Sequence, residues 1–131
     1  MIFIAGNGGL AAESEHFAAE LVGKYHSDVY VPCIALTANS SLVTALANDM
    51  GYENVFSHQI NVLGNKDDTF IGMTTTASEN IMRAAETAKE KGMQVLLLDG
   101  KVLKGKDVAE KQEYAVRLIH KMAREIKDAN K

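Results

Sequence analysis

The chain has 131 residues, 47% of them apolar, with 14 basic and 17 acidic side chains and a net charge of −3 at pH 7. That is enough apolar material for a core of its own, while the mixed, slightly acidic charge supplies no basic stripe for a nucleic-acid partner. The single cysteine, Cys33, excludes an internal disulfide, and no apolar run approaches the length of a membrane span. We read residues 1–131 as one domain. The opening Met1-Ile2-Phe3-Ile4 has neither the basic flank nor the apolar length of a signal peptide, so a cytoplasmic location is expected.

Apolar runs at 2–5, 29–36, 69–73 and 94–98 read as strands and alternate with helical patterns, the signature of βαβ units and a parallel sheet. The expected fold is a three-layer α/β/α sandwich with about four strands. After the first run, the glycine loop Gly6-Asn7-Gly8-Gly9 leads into a helix over about 10–23. Cys33 falls inside the second run and reads as a core residue. The following helix begins near Asn39-Ser40-Ser41, whose short polar side chains suit an N-cap. A shorter helix is expected over 53–63. Beyond the strand at 69–73 comes the hydroxyl run Thr74-Thr75-Thr76-Ala77-Ser78, then a helix with Ile81, Ala84, Ala85 and Ala88 on its core face. The strand at 94–98 and a Gly/Lys-rich loop over 99–106 lead to a terminal helix over 108–127. Its apolar positions are Tyr114, Leu118, Ile119, Met122 and Ile126. Met50, Met73, Met82, Met93 and Met122 read as core filler, and His26 and His58 as surface or loop residues without partners.

Two segments carry chemistry. The glycine loop lets backbone N–H groups face an anion at the start of the next helix, on which His16 and Glu20 share one face. The hydroxyl run lies at the carboxyl end of a strand and the amino end of a helix, where parallel sheets bind ligands. Phosphate cradle, imidazole and carboxylate are therefore expected to open onto the same end of the sheet.

These motifs resemble the phosphoheptose isomerases of the sugar isomerase (SIS) fold. Asn7-Gly8-Gly9 followed by His16-Phe17-Ala18-Ala19-Glu20-Leu21 is similar to that family's Gly-Asn-Gly-Gly loop and His-Phe-Ala-x-Glu-Leu helix, with the same nine-residue step from asparagine to histidine. Ala35-Leu36-Thr37, the segment 42–49 and Gly51-Tyr52-Glu53-Asn54 match the next block. The Ala-Lys-Glu-Lys-Gly ending at residue 92 matches the helix after the family's phosphate loop, and Gln112 and His120 keep its eight-residue step.

The resemblance implies a flavodoxin-like parallel sheet and an aldose–ketose isomerase turning sedoheptulose 7-phosphate into a heptose 7-phosphate for bacterial surface glycans. It implies Zn²⁺, or another divalent ion, held by His16, Glu20, Gln112 and His120, with Glu20 and His120 moving protons. Substrate contacts would come from Asn7, Gly8, Gly9, Glu20, Asn39, Thr74, Thr75, Thr76, Ser78 and Gln112. The partners implied are a phosphorylated seven-carbon sugar and further copies of the chain, as a tetramer or dimer with sites at subunit interfaces. Neither nucleic acid nor membrane is expected.

One constraint follows from helix geometry alone. Gln112 and His120 on one straight helix stand ~12 Å apart along the axis and point ~80° apart, so either the helix begins after Gln112 or the two serve a site built from different subunits. The chain also departs from the family pattern. Leu10 replaces a serine, Asn39 replaces an aspartate, and the hydroxyl run is one residue shorter than Ser-Thr-Ser-Gly-Asn-Ser and lacks its glycine and asparagine. The helices preceding the family's first strand are expected to have no counterpart, and the fifth strand is expected to be missing. The second reading is a non-catalytic SIS-type module that binds a sugar phosphate or a protein.

Overall fold

The computed structural model describes residues 1–131. Four parallel strands, β1 (Ile2–Ala5), β2 (Cys33–Ala35), β3 (Thr69–Met73) and β4 (Gln94–Leu98), lie in the order β2-β1-β3-β4. This is the flavodoxin-like order, with the chain reversing its direction of travel across the sheet after β2. Five helices cover the two faces: α1 (Gly9–Val22), α2 (Ser40–Met50), α3 (Val55–Leu63), α4 (Glu79–Glu90) and α5 (Val108–Ala129).

Strand alternation divides the core in two. Ile4 and Ile71 face Phe17, Leu21, Ala115, Ile119 and Ala123 of α1 and α5. Phe3 and Phe70 face Phe56, Ile60, Ile81, Ala84 and Ala88 of α3 and α4, with Leu46 of α2 at the side. The core face expected for α4 is the one observed, since Ile81, Ala84, Ala85 and Ala88 are all buried.

Three expectations change in detail. The run at 29–36 contributes only three residues to the sheet, because Val31 N–H bonds to the carbonyl of Leu21 at the end of α1 and Pro32 has no N–H to give. On α5 the fully buried row is Ala115, Ile119, Ala123 and Lys127, while Tyr114, Leu118, Met122 and Ile126 flank it at partial exposure. Alanines at 115 and 123 let α5 lie close against α1, while Met122 and Ile126 on the flank line a groove of about 370 Å³ with Ile2, Ile71 and Leu96. Of the methionines read as filler, Met73 and Met93 are buried but Met50 and Met82 are exposed.

Caps fix where the helices begin. Asn39 Oδ1 accepts from Leu42 N–H at 3.1 Å to start α2, and Asp107 Oδ1 accepts from Glu110 N–H at 2.9 Å to start α5. Glu110 in turn accepts from Lys106 N–H, closing a near-reciprocal box. No helix is long and apolar enough to cross a membrane.

Cys33 is buried in the α1/α5-side core, and that burial pushes its thiol up to about 12. Against a free thiol near about 8.5, its thiolate fraction at pH 8 is lower by about three orders of magnitude. Ellman's reagent should therefore react with the native protein far more slowly than with the denatured chain; equal rates would mean that β2 is not packed as described.

Candidate active site

The turn after β1 brings two of the expected features to the carboxyl edge of the sheet. Gly8 adopts φ +58°, a left-handed conformation that an L-residue takes only under strain, and α1 starts directly behind it. Asn7 ties this turn to α4. Its Oδ1 accepts from Tyr52 Oη at 2.8 Å and Asn80 Nδ2 at 3.0 Å, and its Nδ2 donates to Asn80 Oδ1 at 2.9 Å. The Asn7 amide thus holds the loop, and nothing in the sequence spacing had pointed to Asn80 or Tyr52 as its partners.

The hydroxyl loop faces the same space. Thr74 Oγ1 accepts from Ser78 N–H at 2.9 Å and Thr76 N–H at 3.3 Å, curling the loop around a buried threonine. The α2 and α5 helices are capped by side chains, whereas α1 and α4 begin at Gly8 and Ser78 with no side-chain cap. Those two open N-termini flank a cavity of about 300 Å³ lined by Asn7, Gly8, Thr74, Thr75, Thr76, Ser78 and Gln112, with Leu10, Met73 and Val108 as its apolar wall. Orphan amides, two positive dipole ends and hydroxyls make it suited to an anion. Asn39, by contrast, spends its side-chain oxygen on capping α2.

The second constellation lies lower on the α1/α5 face. Helices α1 and α5 run side by side in the same sense: Gln112 packs beside Gly9, His120 meets His16 and Glu20, and Lys127 reaches the end of α1. His120 Nε2 stands 3.1 Å from Glu20 Oε2 and 3.2 Å from His16 Nε2, and His16 Nε2 is 3.6 Å from Glu20 Oε2. A zinc ion with tetrahedral bonds of ~2.0–2.1 Å holds its ligand atoms ~3.3 Å apart, so these three half-buried donors already have the spacing a small divalent cation requires. Two imidazoles and a carboxylate are also the donor types zinc prefers.

His16 lies seven residues beyond Gly9, so the cluster and the cavity are ~10 Å apart along α1. The expectation of a single opening at the sheet edge is corrected on this point: cradle and cluster occupy successive levels of the α1/α5 pair. Gln112 belongs to the upper level, its carboxamide lying against Gly9. Because α5 is continuous from Val108, the possibility of a helix starting after Gln112 is removed.

The Tyr25 ring stacks on His120 with centroids 5.2 Å apart. Its hydroxyl accepts from Arg124 at 3.0 Å, and its carbonyl and that of Gly23 take the Lys127 ammonium at 2.8 and 2.7 Å. Glu13 Oε2 lies 3.2 Å from His16 Nδ1. The i,i+3 spacing of Glu13 and His16 could have been read from the sequence; the return of Tyr25 onto α5 had no local signal. His26, expected to lack a partner, is 3.0 Å from Asp128.

A SIS domain model matches residues 1–100, most of the chain. The chain belongs to the SIS domain family. A phosphoheptose isomerase from Helicobacter pylori (strain P12) is 47% identical over 102 residues, which are 76% of this chain and 53% of that protein. One from Sulfurimonas denitrificans is 48% identical over 100 residues, 75% of this chain and 51% of that protein. The chain thus spans about half the length of these relatives. Phosphoheptose isomerase 1 of Campylobacter jejuni serotype O:2 is 39% identical over 143 residues, 98% of this chain and 77% of that protein. Among solved structures, phosphoheptose isomerase GmhA from Neisseria gonorrhoeae superposes with a TM-score of 0.84 at 34% identity, covering 98% of this chain and 76% of that one. A Francisella tularensis phosphoheptose isomerase gives 0.87 at 26% identity, covering 97% and 76%.

A methyl group on Gly9 would sit 2.5 Å from the Gln112 carboxamide, the movable end of a flexible side chain. Gly9→Ala is therefore expected to fold with a stability change of about 1 kcal/mol or less while displacing Gln112. In a ¹⁵N–¹H spectrum the Gln112 side-chain amide should shift and that of Asn80 should not; an unmoved Gln112 would refute the packing described.

Proposed function

We propose that this SIS-family chain is an aldose–ketose isomerase that converts sedoheptulose 7-phosphate to D-glycero-D-manno-heptose 7-phosphate through an enediol(ate). The observation that carries the reading is the meeting of His16, Glu20 and His120 across α1 and α5 at metal-ligand spacing. A module that only bound ligand would have no chemical need for it. The phosphoheptose isomerases among its relatives supply the substrate class.

The sugar's phosphate would occupy the upper cavity, held by the open N-termini of α1 and α4 and by the hydroxyls of Thr75, Thr76 and Ser78. A seven-carbon chain with its carbonyl at the far end from the phosphate is suited to reach the lower cluster. There Glu20 would take the C1 proton and return it at C2, while His120 exchanges protons with the two oxygens. A divalent cation, with zinc as our assignment, would be held by His16, Glu20 and His120 and would stabilise the negative charge that builds on the sugar oxygens. Since Glu20 is assigned both to the ion and to the proton transfer, its coordination would be loose or would change with substrate. Gln112 cannot reach its own chain's cluster, so as a fourth donor it would serve a site shared with another copy, which makes a homo-oligomer part of the proposal. The synthesis of bacterial surface heptose in the cytoplasm is the matching biological role.

The curled hydroxyl loop supports the second reading, a sugar-phosphate-binding module without turnover, because Thr74 already occupies amides that a phosphate would use. Proton NMR of sedoheptulose 7-phosphate in D₂O separates the two. With zinc-loaded protein we expect heptose 7-phosphate carrying solvent deuterium, abolished by a chelator and restored by zinc. Glu20→Gln and His120→Gln should each lower turnover by about 10²–10⁴-fold. Binding of the sugar phosphate without exchange in any sample would replace the isomerase by the binding module.

A further inference from the structure

The strongest unassigned feature is the carboxylate on the far side of His16. An imidazole has its two nitrogens on different flanks of the ring, and here the carboxylate on the Nδ1 side is the nearer one, at 3.2 Å against 3.6 Å for Glu20 on the Nε2 side. Nε2 faces Glu20 and His120, whereas Nδ1 faces Glu13 Oε2 at 3.2 Å. Glu13 lies three residues before His16 on α1, so the two share a helix face one turn apart. Its side chain is only 17% exposed, turned along the helix toward the ring and away from open solvent.

We infer that Glu13 is a positioning residue that fixes the tautomer and orientation of His16, presenting the Nε2 lone pair to the cation site. The inference rests on reading His16, Glu20 and His120 as a metal centre. A carboxylate has only acceptor oxygens at neutral pH, so it is satisfied when Nδ1 carries the proton. In the opposite tautomer the Nδ1 lone pair would face a negative oxygen, and the Nε2–H would point into the cluster, where it would block coordination. Ligating histidines elsewhere are held by the same kind of outer carboxylate, and its loss costs about 10–100-fold in metal affinity. Tyr25 gives His120 a comparable restraint by stacking, but it leaves the choice of nitrogen open; only Glu13 makes that choice for its histidine.

The test uses the full chain and two readouts, one of which needs no metal. In metal-free protein at alkaline pH, long-range ¹⁵N–¹H spectra report which nitrogen of His16 is protonated. We expect the Nδ1–H tautomer in the parent protein and in Glu13→Gln, whose amide oxygen still accepts, and a shift toward Nε2–H in Glu13→Ala. Zinc affinity, measured by competition with a chromogenic chelator, should fall about 10–100-fold in Glu13→Ala and by less in Glu13→Gln. Glu15→Gln should leave it unchanged, Glu15 being held instead by the Thr37 hydroxyl. The inference is overturned if Glu13→Ala keeps both the parent tautomer and the parent affinity. Failure of the parent protein to bind zinc, with the tautomer still changing in Glu13→Ala, would remove the metal centre and leave the positioning role standing. The Gln variant keeps the test decisive if the alanine variant folds poorly.

Discussion

The site depends on how closely α5 lies against α1. Interhelix distance is set by the side chains at the contact, and here they are Ala115 and Ala123 with Ile119 between them, all without solvent exposure. His120 follows Ile119 directly, so the residue that seats the helix also aims the imidazole across the gap at His16 and Glu20. Larger residues in the alanine positions would push the helices apart and open the donor spacing before touching any donor. At the lower end the Lys127 ammonium, buried and bonded to two carbonyls, secures the chain where α1 turns away. That anchor also holds Tyr25 against His120.

The parallel run of these two helices explains why the His/Glu cluster and the hydroxyl-lined cavity lie at different heights. Each level pairs one stretch of α1 with one of α5: Gly9 with Gln112, then His16 and Glu20 with His120, then the end of α1 with Lys127. The upper level borrows the open end of α4 as well, through the Asn7–Asn80 amide pair. Rigid strands β1 and β3 set that pairing, since Ala5 and Gly72 are partners in the ladder just before the two loops leave the sheet.

Much of this was legible in the sequence. Strands β1, β3 and β4 fall where apolar runs are bounded by turn residues, and α4 where apolar positions recur at helical spacing. The His16/Glu20 pair could be read because both residues sit on one helix; its union with His120 came from family resemblance, as no local pattern joins residues a hundred positions apart. What stayed hidden was non-local or dual in nature. Val31 looks like strand but gives its N–H to the end of α1. Lys127 looks like a solvated helix terminus but is buried by carbonyls from a distant turn. Asn39 and Thr74 have side chains that serve a ligand or the backbone equally well by type, and only the fold shows that both are bonded to nearby amides.

The sheet finishes at β4, whose outer side has no neighbouring strand. Its residues Gln94-Val95-Leu96-Leu97-Leu98 carry no charge, proline or bulge, and Leu96 stands partly exposed beside the groove formed with Met122 and Ile126. Natural edges are usually guarded by such devices, and a short uncharged apolar strand is the kind of segment that templates intermolecular pairing. Self-association of the purified protein is therefore favoured at a strand that takes no part in the proposed chemistry: crowding or partial unfolding would bring such edges together through backbone pairing alone.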